Sequence, residues 1–133
     1  MNKLLEIFKL LTDEKRVRML MLISKKELSV CQLMGITGAS QPLVSRNLSL
    51  LYKGGFLDER RDGKLRFYSI KKDLSDDRKS VLALLCKLMK STKENKEDLS
   101  ILKECSEFQK KAGRCDMKTL QEFMKRKKKK AAV

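Results

Sequence analysis

"ELSVCQLMGITGASQPLVSRNLSLL", residues 27–51, holds two short amphipathic runs on either side of a glycine-bearing break. In the first run Ser29 stands three residues ahead of Gln32, the spacing of a capping box, and Val30, Leu33 and Met34 supply one apolar face. That predicts a short helix, after which Gly35 and Gly38 loosen the chain. In the second run Ser40 can cap a new helix, and Pro42 is tolerated in its first turn because no intrahelical donor is lost there. Val44, Leu48 and Leu51 fall on one side of this helix. Gln41, Ser45 and Ser49 recur at four-residue intervals on another, with Arg46 beside them. One face packs, and a polar face remains to touch something else.

Working outward, Leu4, Leu5, Phe8 and Leu11 recur at helical spacing. Thr12 and Asp13 then offer capping side chains ahead of a second helix through Val17, Leu20, Met21 and Ile23. Downstream, Gly54-Gly55 can end the polar-faced helix. "FLDERRDGKLRFYSI", residues 56–70, reads as two β-prone arms around Asp62-Gly63, a two-stranded ribbon tipped with Arg60, Arg61, Lys64 and Arg66. From Ser75 to Met89 the pattern is helical again, and Val81, Leu82, Leu84, Leu85, Leu88 and Met89 make it too apolar to stand alone in water. Beyond Thr92 a weaker periodicity through Leu99, Leu102 and Phe108, interrupted at Gly113 and resumed at Leu120, Phe123 and Met124, predicts one or two more helices. The expected class is mainly α with a small β-hairpin. The expected division is a main folded unit over residues 1–92, a helical C-terminal extension over 93–124 and a disordered basic tail over 125–133.

The 133 residues carry 32 Lys and Arg against 17 Asp and Glu, a formal charge of +15, which points to a polyanionic partner. Part of that excess is the run Lys125 to Lys130, so the charge alone does not identify a DNA reader. The first fifteen residues are interrupted by Glu6 and Lys9 and lack a small-residue cleavage site, and nowhere do eighteen apolar residues run together. A cytoplasmic protein with no membrane span is expected. In that compartment Cys31, Cys86, Cys105 and Cys115 are reduced, which makes them candidates for metal binding or redox sensing. The chain has no histidine, so a Cys-His nucleophile pair and an imidazole acid or base are excluded, and an enzyme is not expected.

The order helix, helix, short helix, polar-faced helix, basic hairpin, helix is that of a winged helix-turn-helix. Gln41 can pair bidentately with a base edge, Ser40 and Ser45 can bond bases or phosphates, and Arg46 can take guanine or phosphate. Arg60, Arg61, Lys64 and Arg66 would add phosphate or minor-groove contacts from the ribbon. The plainer alternative, a solvated helix face beside an ordinary charged hairpin, has to explain why several independent signals share one register.

Residues 27–70 resemble the arsenical-resistance-repressor family (ArsR type) of bacterial metal-sensing repressors. The resemblance covers roughly Leu4 to Ile70 and rests on the Glu-Leu-x-Val-Cys-x-Leu opening, the Ser-Gln-x-x-Val-Ser-Arg-x-Leu helix and the Arg-Arg-x-Gly ribbon. It implies a homodimeric repressor that binds an inverted repeat in double-stranded operator DNA and lets go when an effector binds. In that family the first and last helices build the dimer interface, which would give Val81 to Met89 a partner. Relatives commonly carry histidine where this chain has Asn47, which implies an altered contact to DNA. Arsenic-sensing members present up to three cysteines at the positions of Ser29, Cys31 and Met34, so here one thiol of three remains.

Arsenite or antimonite prefers three sulfur ligands around a pyramidal centre. Cys31 cannot supply that alone, but Cys105 and Cys115, with Gly113 between them, could fold back towards it from the same or a partner subunit. Nearby Lys103, Lys110, Lys111 and Arg114 would favour their thiolates. Cys86, set among leucines, reads as a core or interface residue. Zinc, nickel and cobalt sensors of the family typically use histidine, which this chain lacks. The leading expectation is therefore a DNA-binding repressor released by a thiophilic metalloid bound to Cys31, Cys105 and Cys115, with no cofactor required. A repressor switched by oxidation or persulfidation of the same thiols is the alternative, and a non-specific nucleic-acid-binding module driven by the tail is a third reading.

Overall fold

A computed structural model of the chain describes residues 2–112. Helix α1 (Asn2–Leu10) leads into α2 (Glu14–Lys25), whose first turn is closed by Asp13, its carboxylate accepting from the amides of Lys15 and Arg16. The short strand β1 (Leu28–Ser29) passes into α3 (Val30–Thr37), and there the capping box forms as its spacing predicts. The Gln32 amide donates to Ser29 Oγ at 3.2 Å, and the Ser29 amide donates to Gln32 Oε1 at 2.8 Å. Helix α4 (Gln41–Lys53) follows with Pro42 in its first turn. Ser40 occupies the N-cap position but makes no side-chain cap hydrogen bond, so its expected capping role is not fulfilled.

Strands β2 (Leu57–Asp62) and β3 (Leu65–Ile70) form the hairpin, and β1 pairs with β3 on its other side, Leu28 opposite Tyr68 and Ser29 opposite Phe67. The sheet is therefore three-stranded and antiparallel in the order β1-β3-β2, one strand more than the ribbon read from the sequence. Two residues are too few to show an alternating pattern, which is why β1 escapes a sequence reading. The hairpin loop is Gly63-Lys64, one residue later than expected. Gly63 takes a φ of +63° and Lys64 a negative one, the arrangement of a two-residue loop with glycine first.

Helix α5 (Asp76–Met89) is capped by Ser75, and α6 (Lys93–Ala112) begins after Thr92, whose hydroxyl accepts from the Asn95 amide. The core lies between α2, α3, α4 and the sheet, where Leu20, Leu33, Leu48, Leu51 and Phe56 are all fully buried. Burying each such side chain contributes about 1.5–3 kcal/mol. Helix α6 packs along α2 and α3. Its inward face is Asn95, Asp98, Leu102 and Cys105, all buried, a spacing of three and four that places them on one stripe. Arg18 of α2 donates from Nε and Nη2 to the two Asp98 oxygens at 2.9 and 2.8 Å. That hydrogen bond, outweighing the opposing effect of burial, raises the Arg18 pKa above its ordinary value. Cys115, the periodicity at Leu120 to Met124 and the basic run from Lys125 lie outside the described residues. Among the described residues no helix is long and apolar enough to cross a membrane.

Candidate nucleic-acid interface and thiol cleft

Along α4 the inward side is Val44, Asn47, Leu48 and Leu51, all buried, and the outward side is Gln41, Ser45, Arg46, Tyr52 and Lys53, all exposed. Gln41, Ser45 and Arg46 thus stand where the sequence puts them, and Ser40 is exposed just before them. Tyr52 and Lys53 extend the same exposed side and were not picked out from the sequence. Each lies seven residues beyond a residue that was, Ser45 and Arg46, so continuing the helical period two more turns would have found them. Asn47 behaves differently from the expectation set by its place in the motif. It is 2% exposed, accepts a hydrogen bond from Arg16 Nε at 3.4 Å, and leaves its own Nδ2 without a partner. Asn47 is a packing residue between α2 and α4, with no surface to offer a base.

The hairpin sets its four cations unequally. Arg61 and Arg66 sit directly opposite one another across the strands, an arrangement that like charges disfavour by a few tenths to about 1 kcal/mol. Glu59, on the same face, lies 3.8 Å from Arg61 and 3.7 Å from Arg66, so one carboxylate is shared between two cations and the face keeps a net positive charge open to a polyanion. Arg60 points to the opposite face, where its guanidinium lies 4.6 Å from the centroid of the Phe67 ring and donates to both Glu27 oxygens, at 3.3 and 2.7 Å. Arg60 so clasps β2 across β3 to the residue before β1. The hydrogen bond from Arg60 holds the Glu27 carboxyl below the usual glutamate range, against the upward push of partial burial. The clasp's contribution is full above the ordinary glutamate pKa and is lost as pH falls through the lowered value, so it is closed at neutral pH.

Between the hairpin tip, α3 and the start of α4 runs a cleft of ≈ 480 Å³. Cys31 and Met34 line it from α3, Gln41 and Ser45 from α4, and Lys64 and Arg66 from the hairpin. The half-buried Cys31 therefore opens into the same space as four of the side chains expected to meet DNA. Cys105 is not in the polar surroundings its neighbours in sequence suggest. It is 1% exposed on the inward stripe of α6, which packs on α2 and on α3, the helix that bears Cys31. Cys86 is half-buried on α5, its sulfur 4.0 Å from Ser24 Oγ. Among the described residues no group of three or more His, Cys, Asp or Glu side chains is placed to hold a metal ion.

Outside the core α1 and α5 carry exposed apolar side chains: Leu4, Leu5 and Phe8 on the first, Leu84 and Leu88 on the second. Leu84 and Leu88, one turn apart on α5, are 55% and 61% exposed, an unusual cost for one helix of a small chain.

Residues 13–59 match the family described as bacterial regulatory protein, arsR family. The chain is 43% identical over 70 residues to an arsenic resistance transcriptional regulator of Pseudomonas putida, a stretch covering 52% of this chain and 61% of that protein. It is 33% identical over 73 residues to an HTH-type transcriptional regulator of Methanocaldococcus jannaschii, covering 54% of this chain and 82% of that one. The chain spans between 51% and 61% of the length of the arsenic-resistance relatives it matches. Among solved structures it superposes on the homodimeric winged helix-turn-helix DNA-binding domain of a Mycobacterium bovis protein with a TM-score of 0.57 and 25% identity, over 69% of this chain and 82% of that one.

Proposed function

Because the chain belongs to the arsR family of bacterial regulatory proteins, we propose that it is a cytoplasmic transcriptional repressor that reads an inverted repeat as a homodimer and is released when its thiols capture a thiophilic effector. The observation that carries this reading is the shared cleft, in which the expected base-reading and phosphate-binding side chains and the Cys31 thiol face one space. In this reading Gln41 and Arg46 reach base edges, and Ser40, Ser45, Arg61, Lys64 and Arg66 hold phosphates. Residues up to 92 read and dimerise. Residues 93–124 gate that reading, and the tail from 125 adds sequence-independent attraction.

Two copies face each other across α1 and α5, whose exposed leucines and Phe8 would then be buried. The effector is arsenite or antimonite, held by Cys31 with Cys105 and Cys115, and the relative from Pseudomonas putida supports a metalloid by its name. Cys105 is fully buried, so ligating it requires α6 to shift against α3. That shift is where effector binding would bias the dimer away from its DNA-binding conformation, by no more than the difference in effector affinity between the two states.

Alkylation of Cys31 tests the shared cleft. Operator duplex is expected to slow its modification by N-ethylmaleimide at least tenfold, while scrambled duplex at the same concentration does not; equal protection by both duplexes, or by neither, contradicts the reading. Under full reduction arsenite should dissociate the operator complex of the native chain and leave that of Cys31→Ser bound. A switch that responds only to oxidant would assign the thiols to redox sensing instead.

The clasp at Arg60 makes a second prediction. Lys64→Ala and Arg66→Ala should each lower the slope of log affinity against log salt by about one per subunit. Arg60→Ala should lower it by less than half as much, because its guanidinium is committed to Glu27. Equal slopes for the three variants would show that Arg60 leaves Glu27 on binding DNA.

A further inference from the structure

The two helices with exposed apolar faces meet the recognition helix at one place, its C-terminal end. Leu10, the last residue of α1, packs so closely on Gly54 that a Cβ added there would overlap Leu10 Cδ1. Arg16 donates from Nη1 to the Leu10 carbonyl at 2.9 Å and from Nε to Asn47 of α4 at 3.4 Å, so one guanidinium bridges the end of α1 and the inner face of α4. From the other side Arg78, in the first turn of α5, donates from Nε to the Gly54 carbonyl at 2.6 Å and lies 5.9 Å from the Phe56 ring centroid. Two arginines from different helices thus hold α4, Arg16 at mid-helix through Asn47 and Arg78 at the C-cap through Gly54. None of these groups is placed to touch a base, and none is explained by burial of apolar surface.

We infer that Gly54 with Arg16 and Arg78 forms a joint that fixes the pitch of α4 relative to the dimer face, making the two arginines positioning residues for DNA reading. This rests on the proposed dimeric reading of an inverted repeat. A dimer reads two half-sites only if its two α4 helices are held at one separation, and α4 has no other polar tie to α1 or α5 among the described residues. A stiff joint makes spacing matter, because inserting two base pairs at the centre of the repeat moves the half-sites by about 7 Å and about 70°. A loose joint lets each α4 follow its half-site.

The test uses the full chain and an inverted-repeat duplex that it selects from a random pool, with and without two base pairs inserted at the centre. Native protein should lose at least tenfold in affinity on insertion. In Arg78→Gln, which frees the Gly54 carbonyl, and in Gly54→Ala, which pushes on Leu10 without removing a polar group, the loss should shrink to less than threefold, with dimerisation and preference for the half-site sequence kept. The φ of Gly54 is −74°, so alanine there is not strained by its backbone, and this variant carries the test if the other folds poorly. A native chain indifferent to spacing overturns the proposed function and the joint with it. A native preference that both variants retain, even at lower overall affinity, overturns the joint alone.

Discussion

Leu84→Glu combined with Leu88→Glu is expected to yield a folded monomer whose operator affinity is at least a hundredfold lower than that of the native chain. Both leucines are more than half exposed in the single chain and belong to no part of its core, so their replacement leaves α5 helical and the core intact. In a dimer across α1 and α5 each would leave water, contributing about 2 kcal/mol per leucine and subunit, and burying unpaired carboxylates in their place costs far more. A monomer keeps its contacts to one half-site but loses the second as an intramolecular event, and that linkage accounts for a factor of about 10²–10⁴. Light scattering reads the oligomeric state and fluorescence anisotropy the affinity. A double variant that remains dimeric would place the interface elsewhere.

Arg18→Met should lower stability by about 3 kcal/mol, the lower end for breaking a buried ion pair, because the Arg18 side chain is 21% exposed and water can partly follow. What remains is the Asp98 carboxylate, 4% exposed and stripped of the guanidinium that binds both its oxygens. Asp98→Ala is the milder change, about 1–2 kcal/mol, since the freed guanidinium can turn into water. In both variants α6 loses its polar anchor to α2, and Cys105, one turn beyond Leu102 on the same stripe, becomes open to thiol reagents. Thermal melts and the rate of Cys105 alkylation measure the two effects. An unchanged melting temperature with Cys105 still protected would mean that α6 is held by its apolar contacts alone.

The elements that set the fold were legible because each had a strong local cause. The Ser29–Gln32 capping box, Pro42 in the first turn of α4 and the apolar series Val44, Leu48 and Leu51 act within a few residues, and α3 and α4 lie where those signals put them. The exposed side of α4 followed from the same periodicity. What was not legible depends on residues far apart in the chain. Arg60 looks like its neighbours Arg61 and Arg66 until the register of β3 brings it across Phe67 to Glu27. Asn47 carries a polar side chain in a motif of polar side chains, and only the packing of α2 against α4 buries it. Cys105 has charged neighbours in sequence, yet Asp98 and Leu102 share its stripe, and the Arg18 partner that anchors that stripe lies eighty positions away from Asp98. Arg16 and Arg78 signal only their local partners Asp13 and Ser75, because the acceptors that tie them to distant elements are backbone carbonyls and a buried amide.

The most direct measurement is an anisotropy titration of the native chain and of Gln41→Ala, against the selected inverted repeat and a scrambled duplex, at physiological salt. The native chain should bind the repeat at least about 10³-fold more tightly than the scrambled duplex. Gln41→Ala should cut that ratio by about 10–100-fold, with little change on scrambled DNA, as the loss of one base contact of about 1–3 kcal/mol requires. Equal affinity of the native chain for both duplexes, or a ratio that survives Gln41→Ala, would contradict the assignment of α4 as the element that reads sequence.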